Sequence, residues 1–336
     1  MGGLIIKVLV SIFIVGAKET NGSRANLTVM AYNIMQLPFK WVPFAGSWDQ
    51  TERLHHLGMA LGTLPEQPDV TVFQEVLDPD AYPVVASLNP YNTPVVGKDC
   101  DAKGPWESTS GKCKTKFWVI RGGVMIGSKH PITEQHQLVF THFAGDSWDA
   151  WSNKGAAHAK IQIGDYFYHV IGTHLQADED GYDHHYVRMQ QLTELNAWID
   201  SLEIPNDEPI VMAGDFNVRF SIPERVEEML STTGSSMSFD GKSFSSPENN
   251  WMGRAHRYYY NRDMCDKDTL DYVMHRKDHL NPVTEPDLQV IPLQSSSNWY
   301  WSYLKGTWPL CSGSMWHHGY TTDLSDHYPV QATYTF

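Results

Sequence analysis

Leu27–Asn33 alternates polar and apolar residues, the repeat of a strand with one face in a core. Thr51–Leu64 repeats instead at helical spacing, with Leu54, Leu57, Leu61 and Leu64 on one face. Pro68-Asp69 leads into the apolar run Val70–Gln74, which reads as a buried strand. Gly122–Ser128, Ala156–Ile163 and Tyr166–Thr173 are further predicted strands. Tyr186–Leu202 is a second helix and Pro209–Gly214 another buried strand. Leu270–His275 and Tyr328–Thr335 complete the pattern. Strands interleaved with helices define an α/β chain. Its acid, amide and imidazole residues sit at or just past strand ends, where layered folds place their sites. No repeat, low-complexity block or linker divides the sequence, so residues 27–336 are expected to form a single domain.

Charge narrows the partners. With 39 acidic against 25 basic residues the formal net charge is −14, which repels a polyanion unless a metal or a local basic patch intervenes. Nucleic acid is therefore not the expected partner. The apolar stretch Leu4–Ala17 is broken by Lys7 and ends in Val15-Gly16-Ala17, the form of a signal peptide covering residues 1–17. A retained anchor is the alternative. In the segment 18–26 stand two sequons, Asn21-Gly22-Ser23 and Asn26-Leu27-Thr28, acceptors of glycan where the host attaches it.

An exported chain with four cysteines is expected to carry two disulfides, for which three connectivities exist. Cys100 and Cys113 flank a Gly/Lys/Ser-rich loop and form the natural local pair, leaving Cys265 and Cys311 to tie two later loops together. None has the close spacing of a zinc site.

Candidate chemistry falls at strand ends: Asn33 in Met30-Ala31-Tyr32-Asn33, Glu75 in Phe73-Gln74-Glu75-Val76, and His174 in Gly172-Thr173-His174-Leu175-Gln176-Ala177. Asp215 and Asn217 follow in Gly214-Asp215-Phe216-Asn217-Val218, then Asp271 in Leu270-Asp271-Tyr272 and Asp326-His327 in Ser325-Asp326-His327-Tyr328-Pro329-Val330. Any one carboxylate at a strand end is ordinarily a turn residue or a cap. Together they are costly to bury unless they serve one another or a metal.

In this order the motifs, with Ser152-Asn153-Lys154-Gly155, resemble the DNase I-like endonuclease/exonuclease/phosphatase superfamily, and more closely its bacterial-type neutral sphingomyelinases. The resemblance runs from about Leu27 to the C-terminus. It implies a four-layer α/β/β/α sandwich and a secreted, monomeric enzyme that hydrolyses sphingomyelin in membranes to ceramide and phosphocholine. It also implies roles. Glu75 is the principal metal ligand, with Asn33 and Asp326 close to the ion. Asp215 and Asn217 orient the attacking water and a phosphate oxygen. His327 is the general base, with Asp271 as its orienting carboxylate, and His174 serves the departing oxygen. Asp149 matches an acidic residue just ahead of Ser-Asn-Lys-Gly. Hard oxygen donors suit Mg²⁺, with Mn²⁺ or Co²⁺ able to replace it. A histidine that titrates near neutrality suits proton transfer to and from water. Two departures, Arg121 before Gly122-Gly123-Val124 and Pro79 after Gln74-Glu75-Val76, remove an accessory metal site from the expectation.

Ser295–Trp316 holds Trp299, Tyr300, Trp301, Tyr303, Trp308 and Trp316. Trp and Tyr favour the membrane–water interface. By the resemblance, Trp299, Tyr300 and Trp301 belong to an aromatic hairpin that dips into the bilayer; the alternative is that these rings pack in the core. Two rival readings remain: a secreted DNA endonuclease on the same fold, and a membrane-binding toxin with reduced catalysis.

Overall fold

The computed structural model describes residues 24–38, 49–100, 104–116, 118–179, 181–259 and 262–336. The expected signal peptide and the Asn21 sequon lie outside them, whereas Asn26 is exposed.

The first half builds one sheet. β1 (Leu27–Gln36) runs parallel to β2 (Val70–Val76), and β2 pairs antiparallel with β3 (Met125–Ser128). The chain then crosses to a second sheet. Here β4 (Ile132–Val139), β5 (Gly155–Ile163), β6 (Tyr166–His174), β7 (Ile210–Asp215) and β8 (Asp271–Arg276) lie side by side in sequence order. Only β6 and β7 are parallel among these neighbours. A long hairpin of β9 (Gln294–Leu310) and β10 (Gly313–Asp323) follows, and β11 (Val330–Tyr334) returns to pair with β1.

Alternation sorts the side chains into layers. In β1, Val29 and Ala31 face the gap between the sheets, while Met30, Tyr32 and Ile34 face outward. The outward set is covered by α1 (Gln50–Gly62) through Leu54, Leu57 and Leu61, and by α2 (Ala81–Ala86) through Ala81 and Val85. The second sheet is covered by α3 (His185–Ser201) through Leu192, Leu195 and Trp198, and by α4 (Pro223–Thr233) through Val226 and Met229. The result is the four-layer α/β/β/α sandwich that the resemblance implies. Proline opens α4 and Gly234, at φ 62°, ends it.

A row of small residues sets the spacing between the two sheets. Ala157, Gly172 and Ala213 occupy paired positions on β5, β6 and β7, so they share a face. A Cβ on Gly172 would lie 2.5 Å from Val72 of the first sheet, which places this row in close contact with that sheet.

The aromatic stretch departs from expectation. It forms the hairpin of β9 and β10, but the i, i+2 pair Trp299 and Trp301 on β9 is 1% and 0% exposed. Both rings pack with Met35, Leu304, Trp308 and the face of α5 (Trp251–Tyr259) bearing Met252 and Ala255. The Trp299 indole N–H donates to Asp323 O at 2.9 Å. Burial wins because Trp299, Trp301, Leu304 and Trp308 have a helix, α5, to pack against. Tyr300, on the opposite face, is half-buried and lies edge-on to Tyr320. Trp299 and Trp301 are core residues, not membrane wedges.

Candidate active site

Strand register assembles the site. His174 pairs with Asp215 across β6 and β7, and Asp215 with Asp271 across β7 and β8, so the three form one row. This row lies two residues beyond the small row of Ala157, Gly172 and Ala213, on the same face. The first sheet supplies Asn33 and Glu75 from the ends of β1 and β2. Asn33 Nδ2 donates to Glu75 Oε1 at 2.9 Å and to Asp215 Oδ2 at 3.1 Å, stitching the sheets together.

Backbone conformation aims these groups. Glu75 and Asn217 adopt φ of 56° and 51°, a left-handed conformation that Asn tolerates and Glu seldom takes. Such residues collect at functional sites held by their surroundings. Asn217 N–H donates to Asp215 Oδ1 at 3.0 Å and its side chain to Leu175 O at 3.2 Å. Beneath the site, the fully buried Arg53 donates to the carbonyls of Ile34, Met35 and Leu324, holding the chain just past Asn33 and just ahead of Ser325-Asp326-His327.

Two histidines face Asp215 from opposite sides. His327 Nδ1 lies 2.7 Å from Asp271 Oδ2 and 4.0 Å from Asp215 Oδ2. Burial opposes charge on this ring, but Asp271 and Asp326 outweigh it and hold its pKa well above the usual value. His174 Nε2 lies 3.6 Å from Asp215 Oδ2 and 3.2 Å from the Lys154 ammonium. An ammonium can only donate, so His174 Nε2 is the acceptor and this ring carries its proton on Nδ1. Burial and the Lys154 charge drive its pKa well below the usual value, so it is neutral. The two rings are thus shifted in opposite directions.

The carboxylates divide likewise. Burial, then Asp271, pushes Asp215 up to about 7, and burial, then Asp326, raises Glu75. Asp326 goes the other way. Burial would raise it, but His327 and His256 hold it below the ordinary carboxylate range. His256 Nδ1 lies 2.6 Å from Asp326 Oδ2, and Ser325 Oγ lies 3.2 Å from Asp326 Oδ1.

Asn33, Glu75, His174, Asp215, Asn217, Asp271, Asp326 and His327 are therefore brought together. Asp149 joins at one remove: it holds Lys154 at 2.8 Å and accepts from Ala177 N–H, and Lys154 reaches His174. Two contributors have no role in the sequence reading. Lys154 lies inside a quoted motif whose charge was a usable clue, whereas His256 sits on the short helix Trp251–Tyr259, which was not among the predicted elements. Of the motif's other residues, Asn153 is structural, exchanging hydrogen bonds with Lys114 and donating to Gly97 O. The disulfides join Cys100 to Cys113 and Cys265 to Cys311.

Among the described residues, Asp215, Asp271 and His327 form a buried group with ligand atoms within 4.8 Å of one another. The Asp271–His327 hydrogen bond accounts for that proximity without an ion. The fit for a cation is better beside Glu75: its carboxylate is a hard oxygen donor and Asp326 adds negative charge beside it, while Asn33 stands close by with its amide oxygen accepting from Met35 N–H. An acidic and imidazole set able to hold a metal is thus present.

Fold and site together are those of the DNase I-like enzymes. The chain belongs to the Endonuclease/Exonuclease/phosphatase family, whose model matches residues 48–327. It is 32% identical to a sphingomyelinase C of Leptospira interrogans over 90% of its own length, and spans 51% of that protein. To a Bacillus cereus sphingomyelinase C it is 30% identical, covering 94% of this chain and 91% of the relative. Among solved structures, sphingomyelinase C from Streptomyces griseocarneus superposes with a TM-score of 0.75 at 30% identity, covering 93% of this chain and all of the other. A Staphylococcus aureus beta toxin mutant with bound magnesium ions has the same TM-score at 27% identity, with the same coverage.

Proposed function

We propose that this chain is a secreted sphingomyelin phosphodiesterase, releasing ceramide and phosphocholine at membrane surfaces and acting as a monomer. The observation that carries the reading is the placement of His327, held by Asp271, and His174, backed by Lys154, around Asp215. The relatives named for sphingomyelinase activity support the substrate.

Water is the nucleophile in this reading. Its oxygen bonds to phosphorus as the bond from phosphorus to the ceramide oxygen breaks. His327 in its neutral form takes the proton from water, and its Nδ1 bond to Asp271 leaves Nε2 for that exchange. Asp215 and Asn217 orient water and a phosphoryl oxygen. His174 and the Lys154 ammonium stand on the side of the departing alkoxide, which must gain a proton. Glu75, with Asp326 beside it and Asn33 close by, would hold Mg²⁺, or Mn²⁺ or Co²⁺ in its place, and such an ion would neutralise charge on the phosphoryl oxygens.

Secretion rests on the signal-peptide reading of residues 1–17 and on the two disulfides, which persist in oxidising surroundings. No helix among the described residues is long and apolar enough to cross a membrane. The test runs two assays with Mg²⁺ in parallel: phosphocholine release from sphingomyelin vesicles, and plasmid nicking. Release without nicking is the expected outcome. Nicking without release would establish the nuclease reading instead.

A further inference from the structure

With Trp299 and Trp301 buried, any grip on a bilayer must come from other rings. The far end of the β9–β10 hairpin is itself tied down by the Cys265–Cys311 disulfide. The hairpin keeps Trp316 and Tyr320 exposed, but a pair of exposed indoles stands beside the active site. Trp148 and Trp151 are 65% and 51% exposed and begin and end a single 3-10 turn, Trp148–Trp151. Residues three apart eclipse in a 3-10 turn, so both indoles emerge on one side.

That turn is built into the wall of the active site. Between the two indoles sits Asp149, which holds Lys154 at 2.8 Å, and Lys154 reaches His174. Trp148 N–H donates to Glu179 and Ala177 N–H to Asp149, tying the turn to the segment just past His174. Beside it stands the exposed Phe143 with the Lys114 ammonium 3.6 Å from its ring centroid. Lys114 also donates to Ala150 O and Ser152 O near the end of the turn. Exposed rings with lysine among them make up an interfacial anchor, with rings at headgroup depth and ammonium groups in water.

We propose that the Trp148–Trp151 turn docks the protein on a zwitterionic phosphocholine bilayer and so holds the His174 side of the site against the lipid headgroups. The docking rests on the lipid-hydrolase reading. The occupant is a zwitterionic surface because a chain of net charge −14 is repelled by anionic lipid, leaving apolar rings to supply the attraction. Binding should therefore change little with salt.

The test separates docking from turnover. Vesicles of phosphatidylcholine are sedimented with the full chain in EDTA, at low and high salt. Hydrolysis is measured separately, with Mg²⁺, on sphingomyelin in vesicles and dispersed in detergent. The Trp148→Ala/Trp151→Ala variant should bind vesicles about 10–100-fold more weakly, as expected for losing two partly inserted indoles. Its activity on detergent-dispersed lipid should stay within about twofold, while Trp148→Phe/Trp151→Phe should recover most of the binding. Unchanged binding in the alanine variant, or binding lost only in Trp316→Ala/Tyr320→Ala on the hairpin, overturns the proposal. Equal loss on dispersed lipid also overturns it, since the rings then brace the turn rather than touch membrane. Wild type that binds through these rings but releases no phosphocholine leaves the docking standing and removes the hydrolase reading.

Discussion

His327 is hydrogen bonded through Nδ1 to Asp271 at 2.7 Å, while its chain neighbour Asp326 turns away to His256 at 2.6 Å. Two adjacent residues thus serve different partners. His327→Ala should lower turnover about 10²–10⁴-fold, the usual cost of losing a general base. Asp271→Asn should cost less and act on turnover, whereas Asp326→Asn and His256→Ala should chiefly raise the Mg²⁺ concentration for half-activation. Steady-state kinetics across a Mg²⁺ titration decides. A reversed pattern, with Asp326→Asn behaving as the base-orienting variant, would falsify the pairing.

Glu75 marks the expected ion site. Chelation should abolish activity, and added Mg²⁺ should restore it. Glu75→Gln should remove most activity and weaken Mn²⁺ binding measured by calorimetry, with the far-ultraviolet circular dichroism unchanged. Full turnover in excess EDTA, or wild-type Mn²⁺ affinity in the variant, contradicts the assignment.

Trp299→Ala should behave as a core deletion, destabilising by about 3–5 kcal/mol, while Trp316→Ala, whose ring is exposed, should change stability by less than about 0.5 kcal/mol. Urea midpoints of the two variants measure the difference. Equal midpoints would return the β9 rings to the surface.

Acid should destabilise the fold through a stacked histidine row in the second sheet. His136, His158 and His169 stack in turn, His158 Nε2 lies 2.8 Å from His169 Nδ1, and His169 Nε2 lies 2.6 Å from Glu208. Burial, then His169, His136 and Lys160, drives the His158 pKa well below 6.5. The unfolded chain therefore binds a proton below about pH 6.5 that the folded chain refuses, and stability present above that pH is lost as pH falls towards the folded value. Melting temperatures at pH 7.5 and 5.5 should differ less in His158→Gln than in wild type. The same pH dependence in both leaves His158 out of the acid response.

Cys100→Ser/Cys113→Ser should cost roughly 3 kcal/mol or less, the chain-entropy value for a loop of this length, without loss of fold. The bridge clips a loop that is also held by the buried Trp106 and by pairing of Ser108–Gly111 with β4, so far-ultraviolet circular dichroism should be unchanged without it.

The sequence carried the layers where one face repeats. Leu54, Leu57 and Leu61 mark α1, and the predicted β7 ends one residue short of the observed one, at Gly214 rather than Asp215. It also carried the residues of the site, because buried polar groups at strand ends need one another. Trp299 and Trp301 misled because an aromatic run reads alike at a surface and in a core. The difference lies in α5, which covers the strand and has only nine residues, four of them aromatic or histidine. His256 stayed hidden for the same reason: its meaning depends on a helix docked some 70 residues from Asp326 in sequence.

The row of Ala157, Gly172 and Ala213 makes the catalytic geometry a matter of thickness. Asn33 can span from Glu75 on one sheet to Asp215 on the other because the sheets close to near contact one step below, where Gly172 leaves no room even for a methyl against Val72. Gly172→Ala is a shim. It touches no reacting group, yet it would jack the two halves of the sandwich apart and take Asn33 out of reach of Asp215, leaving every functional side chain in place on a site too wide to work.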